Sequence, residues 1–136
     1  MNKSGFTKIM ATTPESILFD AQNKKTISVV VSKANKTEGE TVDGHVILRA
    51  GTPLTGDLTA RTTPFTKPAD VETSSDVVGI LLHDVDLGPA GSEVDANATL
   101  LLWGFVNLDR MTAKAAGLLT SNVKTGLKNA IWFLKD

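Results

Sequence analysis

Two short apolar runs, each broken by a single glycine, constrain this chain more than any other feature. Val77-Val78-Gly79-Ile80-Leu81-Leu82 is apolar on both alternating faces, a pattern that suits a strand buried on both sides. Gly79 inside it marks a bulge or a close approach of another backbone. The run from Thr99 to Val106 repeats the theme, with Gly104 in the place of Gly79. Strict alternation puts Leu101, Trp103 and Phe105 on one face and Leu100, Leu102 and Val106 on the other. Both runs are far too short to cross a bilayer. The chain has 136 residues, one domain's length and enough for a core of its own.

Around these runs the pattern is that of a mainly β chain. Strand signals begin at Thr26, where Ile27, Val29 and Val31 alternate with serines. The polar stretch from Ser32 to Gly44 reads as a loop, and His45 to Arg49 as a second strand. Ala50-Gly51-Thr52-Pro53-Leu54 then turns the chain. Residues 55 to 76 are rich in Thr, Ser, Asp and Pro. Pro64 and Pro68 exclude a regular helix there, and Phe65 is the residue placed to pin this long loop to the body. Helical character is clearest near the C-terminus. Thr120, Ser121 or Asn122 caps a short helix with Val123 and Leu127 four apart on one face. Ala113 to Leu119 adds a helical turn before it. Ile131-Trp132-Phe133-Leu134 closes the chain as an apolar strand. The expected fold is a small β-barrel or irregular sandwich with one short C-terminal helix. Trp103, Phe105, Trp132 and Phe133 are expected in its core, with one tryptophan at a subunit interface.

Residues 1–25 read as an extended N-terminal arm and residues 26–136 as the β-rich domain. Phe6, Ile9, Met10, Ile17, Leu18 and Phe19 are scattered through the arm without a helical or strand period. A solvated tail has little use for such residues, whereas a segment that orders against a partner does.

Composition narrows the function classes. Formal net charge is −1, so nothing drives the chain onto nucleic acid or anionic membrane. There are no cysteines, which removes disulfides and thiolate chemistry and fits folding in a reducing bacterial cytoplasm. Met1 to Gly5 leads into mixed polar residues and not into the apolar core of a leader. The Asn-x-Thr triplets at Asn35 and Asn97 then carry no weight. No Gly-x-Ser-x-Gly elbow and no phosphate-binding glycine loop is present. His83, Asp84 and Asp86 are the one cluster with the chemistry of a divalent-cation site, and His45 is its only further imidazole. On a strand, however, His83 and Asp84 point to opposite faces, and the plain reading is a polar strand end. No enzyme activity and no cofactor is expected.

Three segments in order carry a resemblance: Ala50 to Leu54, Val77 to Asp86, and Gly104-Phe105-Val106-Asn107-Leu108-Asp109-Arg110. The chain resembles the head decoration proteins of tailed bacteriophages, including the lambda type. The match covers residues 44 to 110 and extends loosely to the C-terminal helix and strand. This arm is more apolar than the Pro- and Gly-rich lambda one. The resemblance implies a compact β-rich domain that trimerises on the outside of the expanded capsid, at three-fold and quasi-three-fold positions. It implies the major capsid protein and further copies of this chain as partners. Localisation would be the virion surface, after synthesis in the host cytoplasm. The capsid-contacting candidates are Phe6, Ile9, Ile17, Leu18 and Phe19, and deleting residues 1 to 20 is expected to abolish capsid binding while leaving the trimer folded. The alternatives are a head-fibre base or other virion surface-binding module, and a metal-dependent enzyme using His83, Asp84 and Asp86.

Overall fold

The computed structural model of the chain describes residues 16–135. The fold is mainly β. Eight strands follow in order: β1 Lys24–Val31, β2 Glu40–Val42, β3 His45–Leu48, β4 Pro53–Leu54, β5 Gly79–Leu81, β6 Val85–Pro89, β7 Ala96–Asn107 and β8 Ile131–Leu134. Two short α-helices, α1 Ala113–Gly117 and α2 Ser121–Gly126, lie between β7 and β8. Two 3-10 turns, Lys33–Glu38 and Leu108–Arg110, complete the set among the described residues.

The strands form two sheets. The larger runs β1-β7-β5-β4, with β8 added to β7; the smaller runs β2-β3-β6. All pairings between named strands are antiparallel except β7 with β8. A parallel pair needs a crossover connection, and α1 and α2 supply it. The centre of the larger sheet is covered on both faces. Between the sheets lies one core: Val29, Val31, Val46, Leu48, Leu54, Phe65, Leu81, Val85, Leu87 and Leu100. On the far face a second core gathers Val77, Ile80, Leu82, Leu101, Val106, Val123, Leu127 and Ile131. Ile80 and Leu81 point into opposite cores, so β5 is buried on both sides, as its uninterrupted apolar pattern predicts. A Cβ on Gly79 would sit 2.7 Å from the Leu101 carbonyl oxygen. This is the close backbone approach its position announces.

Local signals set many boundaries. Thr112 caps α1 by accepting from the Ala115 N–H, and Thr120 caps α2 by accepting from the Val123 N–H. Where one C-terminal helix is expected there are thus two, because each turn has its own threonine cap. The segment 32–44 is more ordered than its polarity implies. It holds a 3-10 turn, then β2, then a two-residue hairpin at Asp43-Gly44 with φ of 51° and 81°. An Asp-Gly pair is the usual residue choice for such a turn, since both positions need positive φ.

The 55–76 segment is fastened to the body by Phe65, which is fully buried. Phe65 N–H donates to the Val30 carbonyl at 2.7 Å, and the Ser32 N–H donates to the Phe65 carbonyl at 2.9 Å. Asn35, also buried, is the second fastener. Its Nδ2 donates to the carbonyls of Ser32 and Phe65, and its Oδ1 accepts from the Lys67 N–H at 2.6 Å. Thr120 and Asn122 donate to the carbonyls of Val71 and Glu72.

Two expectations are corrected. The chain is tied to the domain from Ile17 onward, not from Thr26. Leu18 bridges Val106, the Phe19 N–H donates to Phe105 and the Asn107 N–H donates to Ile17, each at 2.8 Å. Ile17 and Leu18 are buried in the core beneath the helices. Burying two branched side chains of this size is worth about 3–6 kcal/mol together, which offsets a backbone ordering cost of about the same size for three residues.

The second correction concerns β7. Its register with β1 slips by one residue, Lys25 facing Trp103 and Thr26 facing Leu101. A bulge reverses side-chain parity beyond it. Leu101 and Val106 therefore enter the same core, and Trp103 and Phe105 are turned to the opposite side of the sheet.

Candidate functional site

Beyond that bulge the sheet carries a bare aromatic face. Phe105 is the register partner of Trp132 on β8 and accepts from the Phe19 N–H of the incoming segment, so three aromatic residues lie side by side across β8, β7 and that segment. Trp103 precedes it by two residues on β7. Trp103 and Phe105 meet edge to face with centroids 5.8 Å apart, and Phe105 and Trp132 lie 6.3 Å apart at a tilt of 32°. Phe19 is 49% exposed, Trp103 39% and Trp132 56%. The expectation that these aromatics fill the core fails for Trp103 and Trp132. Phe105 and Phe133 are half-buried, and Phe133 alone packs against the core beneath the helices, with the Lys124 ammonium 5.3 Å from its ring centroid. The reason is geometric. The smaller sheet covers the larger one opposite Val29, Val31 and Leu100, and stops short of the end where β8 joins.

The residues that build this face also hold the chain entry. Asn107, fully buried, accepts from the Asp109 N–H and starts the 3-10 turn. The turn presents Arg110, whose Nη1 donates to the Leu18 carbonyl at 3.1 Å. The Leu18 N–H donates to Ser16 Oγ. The stretch Gly104 to Arg110 thus joins the first described residues to the centre of the sheet.

Of the capsid-contacting candidates, Phe6 and Ile9 lie outside the described residues. Ile17 and Leu18 are core residues, and Phe19 stands on the aromatic face. Phe105 is the missed residue; Trp103 and Trp132 are expected in the core, with one of the two at a subunit interface. The sequence signal that points to them is the glycine at 104, a mark of interrupted alternation.

The polar cluster at 83–86 is divided between separate partners. Asp84 accepts from the Ala50 N–H at 2.8 Å and from Arg49 Nη1 at 3.0 Å. Arg49 also donates to Glu40 at 3.3 Å, tying β2 to the turn after β3. Burial works against the Arg49 charge, but the hydrogen bonds of Asp84 and Glu40 outweigh it and hold the guanidinium above its ordinary pKa. Asp86 accepts from the Gly88 N–H at 2.7 Å and lies 3.0 Å from His45 Nδ1; these two contacts, the amide first, keep its pKa below the usual range. Among the described residues no group of three or more His, Asp or Glu is placed to hold a metal ion. Asp84 and Asp86 each brace a different turn.

A broad open groove runs along Ser28–Val30, Thr59–Thr62 and Asn97–Thr99. Its one charge is Arg61, whose Nη1 donates to the Ser28 carbonyl at 3.4 Å. Hydroxyls, an amide and one guanidinium make a polar wall with no acid–base pair in it. Among the described residues no helix is long and apolar enough to cross a membrane. No family model matches the chain, and no curated protein matches it.

Proposed function

We propose that this chain is a virion structural protein that binds the outside of an expanded phage capsid and stabilises the head. It acts as trimers at three-fold and quasi-three-fold positions, with the major capsid protein as its partner. The observation that carries the reading is the aromatic face of Phe19, Trp103, Phe105 and Trp132 on an otherwise well-packed domain. Contiguous exposed aromatic surface of this kind marks a protein contact. The resemblance of residues 44 to 110 to phage head decoration proteins supplies the setting, a chain that meets both further copies of itself and capsid protein. The segments that carry it have structural roles here: Gly79 admits β7, Asp84 braces the 50–54 turn, and Asn107 and Arg110 fasten the chain entry.

The mechanism follows from linkage and avidity. A protein that binds the assembled lattice, and not free subunits, raises the stability of the lattice. Three copies joined together present three weak contacts at once, and their combined grip exceeds any one of them by orders of magnitude. Residues 1–15 enter the domain at Ser16, beside Asn107, and fifteen residues span at most about 50 Å when extended. This segment, with Phe6 and Ile9, supplies the contact to capsid protein.

The test is co-sedimentation of the purified chain with expanded and unexpanded heads that lack their own decoration. Saturable binding to expanded heads is expected, together with a rise in the temperature at which those heads release their contents. A truncation ending at residue 15 should lose binding and keep its far-UV circular dichroism. The cut cannot run to residue 20, because Ile17 and Leu18 are core. Indifference to heads in both states would remove the proposal.

A further inference from the structure

We propose that the aromatic face is the self-association surface of this protein, covered by a second copy of the same chain that approaches from the β8 side. The inference rests on the reading above, in which the chain works as a multimer, and assigns the residues that make it one. Three independent features converge on it.

The first is area. Phe19, Trp103 and Trp132 are each about half exposed, and three such side chains present on the order of 300 Å² of contiguous aromatic surface. That is as much as the largest apolar patch of a typical monomer. A standard interface takes about 800 Å² from each partner, with aromatic anchors at its centre and a polar rim around them. Here the anchors are in place and the rim is polar: Asp20 follows Phe19, Lys25 is the register partner of Trp103, and Lys135 follows β8.

The second is the state of the sheet edges. Unprotected edges template pairing with another chain, and monomers blunt them with charge, proline or short length. Most edges here are blunted. β1 carries Lys24 and Lys25, and on its outer side Val30 donates to the Arg61 carbonyl and accepts from the Phe65 N–H. β4 is two residues long and starts at Pro53; β2 contains Glu40; β6 contains Asp86 and ends at Pro89. β8, Ile131-Trp132-Phe133-Leu134, has no charge and no proline, and among the described residues it pairs with β7 alone. On the other side of β7 the entering segment is closed, because the Leu18 N–H and carbonyl are taken by Ser16 and Arg110. Approach is therefore from β8.

The third is charge. The formal net charge of −1 leaves little repulsion between copies, and the rim carries both signs, Asp20 against Lys25 and Lys135. A second copy brings apolar surface to apolar surface and each charge near its opposite.

The chain contains two tryptophans and both lie on this face, so intrinsic emission reports its coverage. The experiment is light-scattering mass together with tryptophan emission and acrylamide quenching of the full chain over a concentration series. Mass should climb from 14.4 kDa to a whole multiple of it, and emission should shift to the blue with quenching reduced in step. Trp132→Lys and, separately, Phe19→Ser should weaken association at least about tenfold, as loss of a central aromatic anchor does, with circular dichroism unchanged. Mass fixed at 14.4 kDa overturns the proposal, as does association indifferent to both substitutions. Blue emission independent of concentration overturns it too, because residues 1–15 of the same chain would then be the cover. A blue shift seen only on adding heads assigns the face to capsid protein instead. A multimer with a covered face that ignores heads leaves this inference standing and removes the decoration role; a monomer that binds heads does the reverse.

Discussion

Replacing Phe65 by alanine should strip the 55–76 segment from the body of the protein. The Phe65 ring is completely buried in the core between the sheets, and it is the anchor of a segment with little other apolar content. Truncating a buried phenylalanine costs about 3–5 kcal/mol, the lost transfer energy plus the cavity left behind. Relaxation is limited here, because backbone hydrogen bonds to Val30 and Ser32 hold the main chain while the ring is removed. The upper half of that range, about 4–5 kcal/mol, is the expectation if the cavity persists. A domain of ordinary stability holds only about 5–15 kcal/mol, so the variant should be marginal and its Tm lower by roughly 10–20 °C. Urea unfolding followed by far-UV circular dichroism measures the loss. Limited trypsin digestion measures its location, since Arg61 lies four residues before the anchor. A loss below about 1 kcal/mol with unchanged resistance at Arg61 would refute the pinning argument.

Other perturbations have definite signs. Gly126→Ala, worth roughly 1 kcal/mol of gain in a free helix, should instead destabilise, because its Cβ would lie 2.5 Å from the Ser75 carbonyl oxygen; a raised Tm would contradict that packing. Asn35→Ala leaves the Lys67 N–H without its acceptor and removes one of two donors from each of the Ser32 and Phe65 carbonyls, and should cost about 1–3 kcal/mol by urea unfolding, whereas an exposed asparagine changed in the same way should cost little. Asp86 and Glu93 have lowered pKa values, each because a backbone N–H donates to it, from Gly88 and Gly91. Their folded pKa lies below the unfolded one, so their support is present above the unfolded value and fades as pH falls through the folded one. Tm should hold level from neutral pH to about 5 and decline below about 4, and an unchanged Tm at pH 3 would count against these contacts.

Much of the scaffold is legible in the residues because it is set locally. The doubly apolar pattern of Val77 to Leu82, the caps at Thr112 and Thr120 and the role of Phe65 depend on neighbours within a few positions or on burial alone. The Asp43-Gly44 hairpin was equally local, and the polarity around it concealed it. The division of His83, Asp84 and Asp86 follows partly from strand alternation, yet their real partners, Arg49 and His45, lie about forty residues away.

What the chain decides by itself is which segments form strands and turns, because hydrophobic periodicity and capping act over one or two turns of backbone. What the tertiary structure alone decides is which apolar residues remain uncovered. Ile17 and Leu18 are buried because Arg110 and Asn107, some ninety positions on, fasten them to β7. Trp103 and Trp132 are exposed because one extra residue in β7 reverses the parity of its side chains where the smaller sheet has already ended. Strand register and sheet extent are set by long-range pairing, which the break at Gly104 flags but does not fix.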